Sequence, residues 1–287
     1  MLDLNPNAAD QICFMLDVLA TATDHLITID GGSYSLIDRM VSTLQHSKRI
    51  TFRTNTTVEA FAENPDNIEV LFDNGQKVTC DHIIFTCPKP AYAKIDGFPK
   101  DIQAAMDSVM VVELFKIFIV LDHPPFDEHT LPKPNDHADK IPCREIHYSY
   151  DKVSKTGMVM IYGDSPSINY WRPFLQQRLS DQPFMDGNPH LCNHLYHYLR
   201  QIFPSSHNSF SIRHYGILDW SNEPYGSGVH LWKPGCISQN IMAKLRAFGN
   251  GRVHICGETY SDYQGFIEGC LRTVNGVLET IPSETPC

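Results

Sequence analysis

The stretch HICGETYSDYQGFIEGCLRTVNGVLE, residues 254–279, is predicted to form a short buried strand, a turn and a helix. The first turn of a helix leaves about four backbone N–H groups unpaired and carries roughly half a positive charge. After Gly265, two bulky apolar residues stand where a polar cap is usual. Gly257 and Gly265 lack a Cβ, so backbone there could approach a ligand, and Glu258 could accept a hydrogen bond. The pattern indicates an anion-binding helix start, and a plain strand–turn–helix corner is the alternative.

A lysine and two tyrosines on predicted strands are further candidates for chemistry. Lys116 lies in the apolar run LFKIFIVL, residues 114–121, and an unpaired buried ammonium is costly. It either has a function or reaches solvent from an edge strand. Tyr148 and Tyr162 lie in the paired strands REIHYSY and GMVMIYG, and a phenol can donate to a carboxylate in a dry pocket. Amphipathic core tyrosines are the alternative.

His190, His194 and His197 have the spacing of one helix face and could be interpreted as metal ligands. No fourth ligand is indicated by spacing, so a partly solvated helix face is the favoured interpretation. We predict no metal site.

The 254–279 stretch resembles the C-terminal flavin motif of the flavin-containing amine oxidases, in which an apolar-G-x-E segment precedes G-[YF]-x-[ED]-G-A and a long helix. The matching residues are Gly257, Glu258, Gly265, Phe266, Glu268 and Gly269, while Cys270 replaces the usual alanine. The resemblance implies that the turn binds the phosphate and ribityl chain of FAD. It also implies that the N–H of Ile267 faces the pyrimidine edge of the flavin ring, where the helix dipole would favour the reduced form.

Three other segments resemble the family in the same order along the chain. IDGGSYSLIDRMVSTLQ, followed by TTVEAF, implies that Val58 contacts FAD through its backbone, although a simple helix–strand connection is the alternative. WSNEPYGSGVHLW matches a loop in which Trp220 would lie near the flavin; Glu223, Pro224, Tyr225 and Gly228 also match. Val229 stands where monoamine oxidases have the cysteine of the covalent link, so FAD is expected to bind noncovalently. His230 stands where the family usually has an aromatic residue of the substrate cage, with Phe266 opposite. The resemblance also implies that Lys116 holds a water at flavin N5.

The strands with Tyr148 and Tyr162 are more similar to L-amino-acid oxidases, where a tyrosine binds the substrate carboxylate, than to monoamine oxidases. The resemblance implies that Tyr148 is this tyrosine, with Tyr162 as the second candidate. The resemblance implies oxidative deamination of an L-amino acid: hydride transfer to FAD, then reoxidation by O2 to give H2O2. The arginine that binds the carboxylate in such enzymes has no counterpart in this chain, and no general base is identifiable. The alternatives are a non-catalytic structural or binding subunit of an oxidase complex and a monoamine or polyamine oxidase.

The elements around these residues predict a mixed α/β (α+β) fold. Helices are expected at 8–22, from about 35, at 101–109, from 189 and at 237–248, and a hairpin at Asp73-Asn74-Gly75. RITFR, TTVEAFAE, NIEVLFD, QKVTC and HIIFTCP read as strands of one sheet. Residues 1–88 and 216–287 are predicted to form part of an FAD-binding domain, and residues 89–215 a substrate-binding domain.

No GxGxxG follows any predicted strand. We therefore expect the chain to correspond to the C-terminal portion of a two-domain FAD-linked oxidase, either as one subunit of a split enzyme or as a fragment. A partner chain with the GxGxxG half would complete it, and the chain alone is expected to bind flavin weakly or not at all.

Composition excludes several other classes. The 287 residues carry a formal charge of -10, which gives no basic surface for nucleic acid. No run of 18 apolar residues predicts a membrane-spanning helix, and the acidic N-terminus lacks the basic region of a signal peptide. Nine cysteines without CxxC spacing favour reduced thiols, and the expected location is cytoplasmic.

Overall fold

The computed structural model describes residues 6–21, 29, 31–175, 189–204, 209–221 and 226–282. The helices are α1 Ala8–Thr21, α2 Tyr34–Gln45, α3 Lys89–Tyr92, α4 Lys100–Met106, α5 Ser167–Leu175, α6 Pro189–Ile202, α7 Ser238–Arg246 and α8 Ile267–Leu278. The strands are β1 Val58–Glu63, β2 Ile68–Phe72, β3 Lys77–Cys80, β4 Ile83–Phe85, β5 Val109–Val112, β6 Leu114–Asp122, β7 Glu145–Asp151, β8 Thr156–Asp164, β9 Ser211–Asp219, β10 Val229–Trp232 and β11 Val253–Ile255. This is the mixed α/β fold that the sequence predicts.

Two compact units make up the chain. One, here called the sheet unit, comprises Cys87–Ala91 and Val109–Lys233. The other, the terminal unit, comprises Pro6–Thr86, Tyr92–Ser108 and Pro234–Cys287. Residues 216–233, which were expected with the FAD-binding part, fall in the sheet unit, because β9 pairs with β6 and β10 with β5. Residues 92–108, which were expected with the substrate-binding part, fall in the terminal unit, where α4 contacts α7.

An antiparallel sheet in the order β7-β8-β6-β9 is the centre of the sheet unit. Along β6, buried and half-buried residues alternate without a break, and they do so along β8 until its last residues. Because side chains alternate between the faces of a strand, this pattern assigns one face of the sheet to a core and leaves the other partly open.

The core face packs against α5 and α6. Ile117, Ile119 and Ile161 lie in one cluster with Trp171 of α5 and with Leu195 of α6. Burying one such aliphatic side chain contributes roughly 1.5–3 kcal/mol. A slip of one residue in β6 would move its whole apolar set to the other face, so the core sets the register that positions Lys116.

The terminal unit contains two small sheets. β1, β2 and β3 form an antiparallel sheet, and Gly75, at φ 76°, closes the predicted β2–β3 hairpin. β4 and β11 pair in parallel, with Val253 opposite Ile83 and Ile255 opposite Phe85.

Two predictions about this region are wrong. β4 does not continue the sheet of β1–β3, because its partner is β11, about 170 residues away along the chain. Residues 50–57 contain no strand, so RITFR is not one, and Phe52 is 47% exposed. The alternating pattern there is not matched by a pairing partner among the described residues.

Candidate active site

In the sheet unit, Lys116 lies on an interior strand, which removes the edge-strand interpretation. It is directly opposite Tyr162 on β8 and Leu218 on β9. Its Nζ lies 5.4 Å from the centroid of the Tyr162 ring. Among the described residues, no hydrogen-bond or ion-pair partner is found for this ammonium group.

Lys116 points to the half-buried face of the sheet. Directly opposed residues in antiparallel strands share a face. That face therefore contains Phe118, Val120, Met158, Met160, Tyr162, Glu145, His147 and Leu218 in addition to Lys116. The middle of this surface is apolar, and polar residues border it, including also Ser149, Asp164 and His214.

Tyr148 lies on the opposite face. It pairs with Val159 of the core face, and its hydroxyl is 2.8 Å from Nδ1 of His137. Its ring packs against Phe126 and Phe203, and burial raises the pKa of its phenol far above the ordinary value. Tyr148 and Lys116 therefore do not line one surface, whereas Tyr162 and Lys116 do. Burial also raises the pKa of Tyr162, with Arg144 opposing the shift.

Glu145 and His147 are the residues of this face that the sequence analysis missed. The Glu145 carboxylate is 3.1 Å from Nε2 of His147 and 3.4 Å from Nε of Arg144. Arg144 also pairs with the nearly buried Asp164 at 3.3 Å. The alternation of EIHYSY was visible in the sequence, but which alternate set faces Lys116 depends on the strand register.

The loop residues of the sheet unit are only partly described. The Trp220 N–H donates to the Leu114 carbonyl at 3.0 Å, which places Trp220 just after β9. His230 lies on β10 opposite Val111 and is 2% exposed. A Cβ at Gly228 would lie 2.5 Å from the Val112 carbonyl oxygen, so glycine is required there by packing. Glu223, Pro224 and Tyr225 lie outside the described residues, as does Asn188, which would precede α6.

In the terminal unit, the predicted turn joins β11 to α8. Gly257 has φ 124°, a conformation that favours glycine, and its N–H donates to Oγ1 of Thr273 at 2.9 Å. The hydroxyl of Thr273, which sequence reasoning missed, can donate its one proton to the Cys270 carbonyl oxygen of α8, 2.9 Å away, and so ties the turn to the helix. A Cβ on Gly257 would meet only the Thr86 carbonyl oxygen, at 3.8 Å, so space for a ligand remains beside it.

The helix start is open, with one correction. The N–H of Gly265 donates to Oε1 of Glu258 at 2.7 Å, so the amides left for a ligand begin after Gly265, although this residue was predicted to contact FAD. Phe266 is the N-cap without a side-chain cap, and it and Ile267 are 54% and 58% exposed. Within the described ranges, no partner is found for the N–H groups of Phe266, Ile267 and Glu268. Val58 lies at the start of β1, half-buried, opposite Phe72.

Cysteines near the turn are held as thiols. Burial is the main cause that raises the pKa of Cys256, at the end of β11, and of Cys270, in α8. In the sheet unit, burial raises the pKa of Cys143 to about 11. Eight cysteines of the described part of the chain are free.

Two of the three histidines of α6 are surface groups, and the third, His194, is half-buried with its ring 4.7 Å from that of Phe174. His190 and His197 are exposed, and His197 is 2.7 Å from Nε2 of Gln201. No group of three or more His, Cys, Asp or Glu side chains placed to hold a metal ion was found in the described ranges. None of the described helices is both long enough and apolar enough to span a bilayer.

The chain belongs to the flavin-containing amine oxidoreductases, whose family model matches residues 3–273. The fold is similar to solved structures of putrescine oxidase. A triple mutant from a redesign of cofactor binding gives a TM-score of 0.65 at 17% identity. The match covers 87% of this chain and 52% of the putrescine oxidase chain. The wild type bound to putrescine gives a TM-score of 0.64 at 16% identity, with the same coverage. The chain thus spans about half the length of these structures, at 52%. No curated protein matches the sequence.

Proposed function

We propose that this chain is part of a flavin-dependent oxidase that acts on a primary amine, and that the open face of its central sheet contacts the substrate. The observation that supports this most is Lys116: an ammonium group on an interior strand, over a tyrosine ring, on a half-buried apolar face. Lys116 is half-buried, and no described protein group pairs with its ammonium, so its N–H donors are available to a ligand, and membership of the family supplies a reason for one.

The residues of the terminal unit fit a flavin. Gly257 and Glu258 would hold its phosphate and sugar side, and the N–H groups of Phe266, Ile267 and Glu268 would face the electron-accepting ring. When bound, FAD supplies a two-electron acceptor that takes hydride from the substrate and passes the electrons to O2, giving H2O2. Val229 offers no nucleophile for a covalent link, so we propose noncovalent binding.

The chain's own residues would have three tasks. Lys116 donates hydrogen bonds to a water or to oxygen species and stabilises negative charge that develops near it. The apolar side chains around it, such as Phe118 and Met160, exclude bulk water, which strengthens that electrostatic effect. The α8 amides stabilise negative charge without a side-chain cation.

L-amino-acid oxidation, the expectation from the sequence, remains one substrate proposal. Its carboxylate partner would be Tyr162, since Tyr148 is on the core face. A substrate without a carboxylate, such as a monoamine or diamine, is the second proposal. It is supported by Glu145, an acid on the Lys116 face, and by the pairing of Arg144 with Asp164.

The proposal of a partner chain that supplies a GxGxxG half has no support from the comparisons, and a non-catalytic subunit of an oxidase complex is its rival. Flavin binding separates them. The purified chain, alone and with an added GxGxxG-containing half, is incubated with FAD and then desalted; protein-bound flavin bands should remain only in the second case. A chain that yields flavin bands and peroxide alone would remove the split-enzyme proposal, and no bands in either case would favour the non-catalytic one.

Lys116→Met should slow oxidation of the reduced flavin by O2 by about 10²-fold, the usual effect of removing one preorganised electrostatic stabiliser. Stopped-flow absorbance at several O2 concentrations would measure it, with L-amino acids, monoamines and diamines as reductants. The matched control is Lys133→Met, an exposed lysine of the same unit. Equal rates for the two variants would refute the role proposed for Lys116.

A further inference from the structure

Tyr162 is placed to hold Lys116 in position. The two residues are directly opposite each other on β8 and β6, both interior strands of the four-stranded sheet. The 5.4 Å between Nζ and the ring centroid is within the range of a cation–π interaction. In a sheet, such directly opposed pairs are the ones whose side chains interact.

The other neighbours of Lys116 do not pair with its ammonium: Asp164, the diagonal neighbour on β8, pairs with Arg144 instead, at 3.3 Å. Leu218 lies opposite on β9, and Phe118 follows on the same face of β6. Burial raises the pKa of Tyr162, so the phenol remains neutral near pH 7 and its ring, not a phenolate charge, attracts the ammonium. On the far side of Tyr162, Glu145 occupies the next position of the same row.

We propose that Tyr162 is a positioning residue, whose ring face fixes the Lys116 ammonium and leaves its N–H donors for a water, oxygen species or other ligand. A hydrogen-bonding or ion-pair partner would use one of those donors, whereas a ring does not. The catalytic importance of this placement rests on the proposed function. The placement itself does not.

The placement can be tested on the full chain without any flavin. In a chain containing lysine ¹³C-labelled at Cε, the resonance that Lys116→Arg removes is that of Lys116. Its CεH₂ protons should be shifted upfield by the ring current and show an NOE to the Tyr162 ring protons. Tyr162→Phe should keep the shift and Tyr162→Leu should abolish it. Tyr150→Leu, which removes a ring pairing with Gly157 on the core side, is the control and should keep it.

The wild-type spectrum is sufficient to overturn the proposal, even if Tyr162→Leu fails to fold. It would do so if the Lys116 signal lay at the position of an exposed lysine and showed no NOE to Tyr162. A loss of the upfield shift in Tyr162→Phe would also overturn it, since the hydroxyl would then be responsible.

In the flavin-loaded enzyme, Tyr162→Leu should slow reoxidation by O2 about five-fold, the equivalent of a cation–π energy of about 1 kcal/mol. Tyr162→Phe keeps the ring, so it should slow reoxidation less than Tyr162→Leu does, and it would raise KM for an amino acid if the hydroxyl binds its carboxylate. Equal slowing in both variants would contradict the ring's role. If the NMR result holds but no amine is oxidised, the placement stands and the proposed function fails.

Discussion

The imidazole of His254 is fully buried, and its hydrogen bonds specify one tautomer. Nδ1 lies 2.8 Å from the Arg246 carbonyl oxygen, which can only accept, so Nδ1 carries the proton. Nε2 then accepts from Nδ1 of His82 at 3.0 Å. Burial lowers the pKa of His254, with the Arg246 carbonyl opposing the shift and His82 adding to it.

This arrangement predicts that acid destabilises the terminal unit. Because the folded-state pKa lies below the ordinary value of about 6.5, the unfolded chain binds more protons as pH falls through that range. The free energy of unfolding should therefore be lower at pH 5.5 than at pH 7.5, as measured by urea denaturation. His254→Gln should show a smaller pH dependence, since it removes the group that gains the proton.

Burial also lowers the pKa of His137, so this residue contributes to the pH dependence of the wild-type chain. The contribution of His254 is therefore measured by comparing the pH dependence of His254→Gln with that of the wild type. His129→Gln is the control, since that side chain is 82% exposed. A slope unchanged by His254→Gln would contradict the assignment.

Residue types were enough to single out Lys116, Tyr162 and the glycine turn from the sequence. Their surroundings were not predictable in the same way. Whether Tyr148 or Tyr162 shares a face with Lys116 depends on the pairing of β6, β7 and β8, and a shift of one residue reverses the answer. The Glu258–Gly265 hydrogen bond likewise depends on how a seven-residue turn closes.

At the scale of elements, α8 carries two glycines with different surroundings. A Cβ at Gly269 would lie 2.2 Å from the Tyr263 carbonyl oxygen and 2.3 Å from Ser261 Oγ, because the turn before the helix crosses it there. A Cβ at Gly276 would meet the Arg246 guanidinium at 2.9 Å, the far end of a flexible side chain.

Gly269→Ala should therefore destabilise the chain by about 1–3 kcal/mol, as overpacking against backbone does. Gly276→Ala in the same helix is the matched control. It should be neutral or stabilising by up to about 1 kcal/mol, because alanine is the better helix former. Urea unfolding of the two variants would measure both, and similar losses would show that the turn does not pack as described.

Most element positions followed from local pattern, since α1, α2, α4, α7 and the β2–β3 hairpin each depend on periodicity, glycine or turn residues nearby. β5 and β10 were missed because each is four residues long and is defined by pairing with the other, about 120 residues away. The parallel pair β4–β11 is nonlocal for the same reason.

At the scale of the whole molecule, α1 presents an apolar stripe to solvent. Ile12, Met15, Leu16 and Leu19 are 58%, 61%, 61% and 70% exposed. The other face of α1 is attached within the terminal unit, through Phe14 stacking on Phe266 and Asp17 pairing with Arg272. A contiguous stripe of this kind promotes association.

We expect the isolated chain to self-associate, and Leu16→Lys combined with Leu19→Lys to reduce it. Exposed positions tolerate such changes, so the free energy of unfolding should change by no more than about 0.5 kcal/mol at each position. Sedimentation velocity over a concentration series would measure association. Replacement of the exposed Val153 by Lys is the control, as it lies outside the stripe and is 93% exposed. Equal association of wild type and double variant would show that the stripe is not responsible.

The protonated thiols have a consequence for chemical durability. Thiolates, not thiols, attack peroxides, and oxidation beyond the sulfenic stage is irreversible in most proteins. Burial keeps Cys80, Cys143, Cys256 and Cys270 in the unreactive form. In the proposed oxidase, these four thiols would be protected from peroxide by the same packing that stabilises the fold.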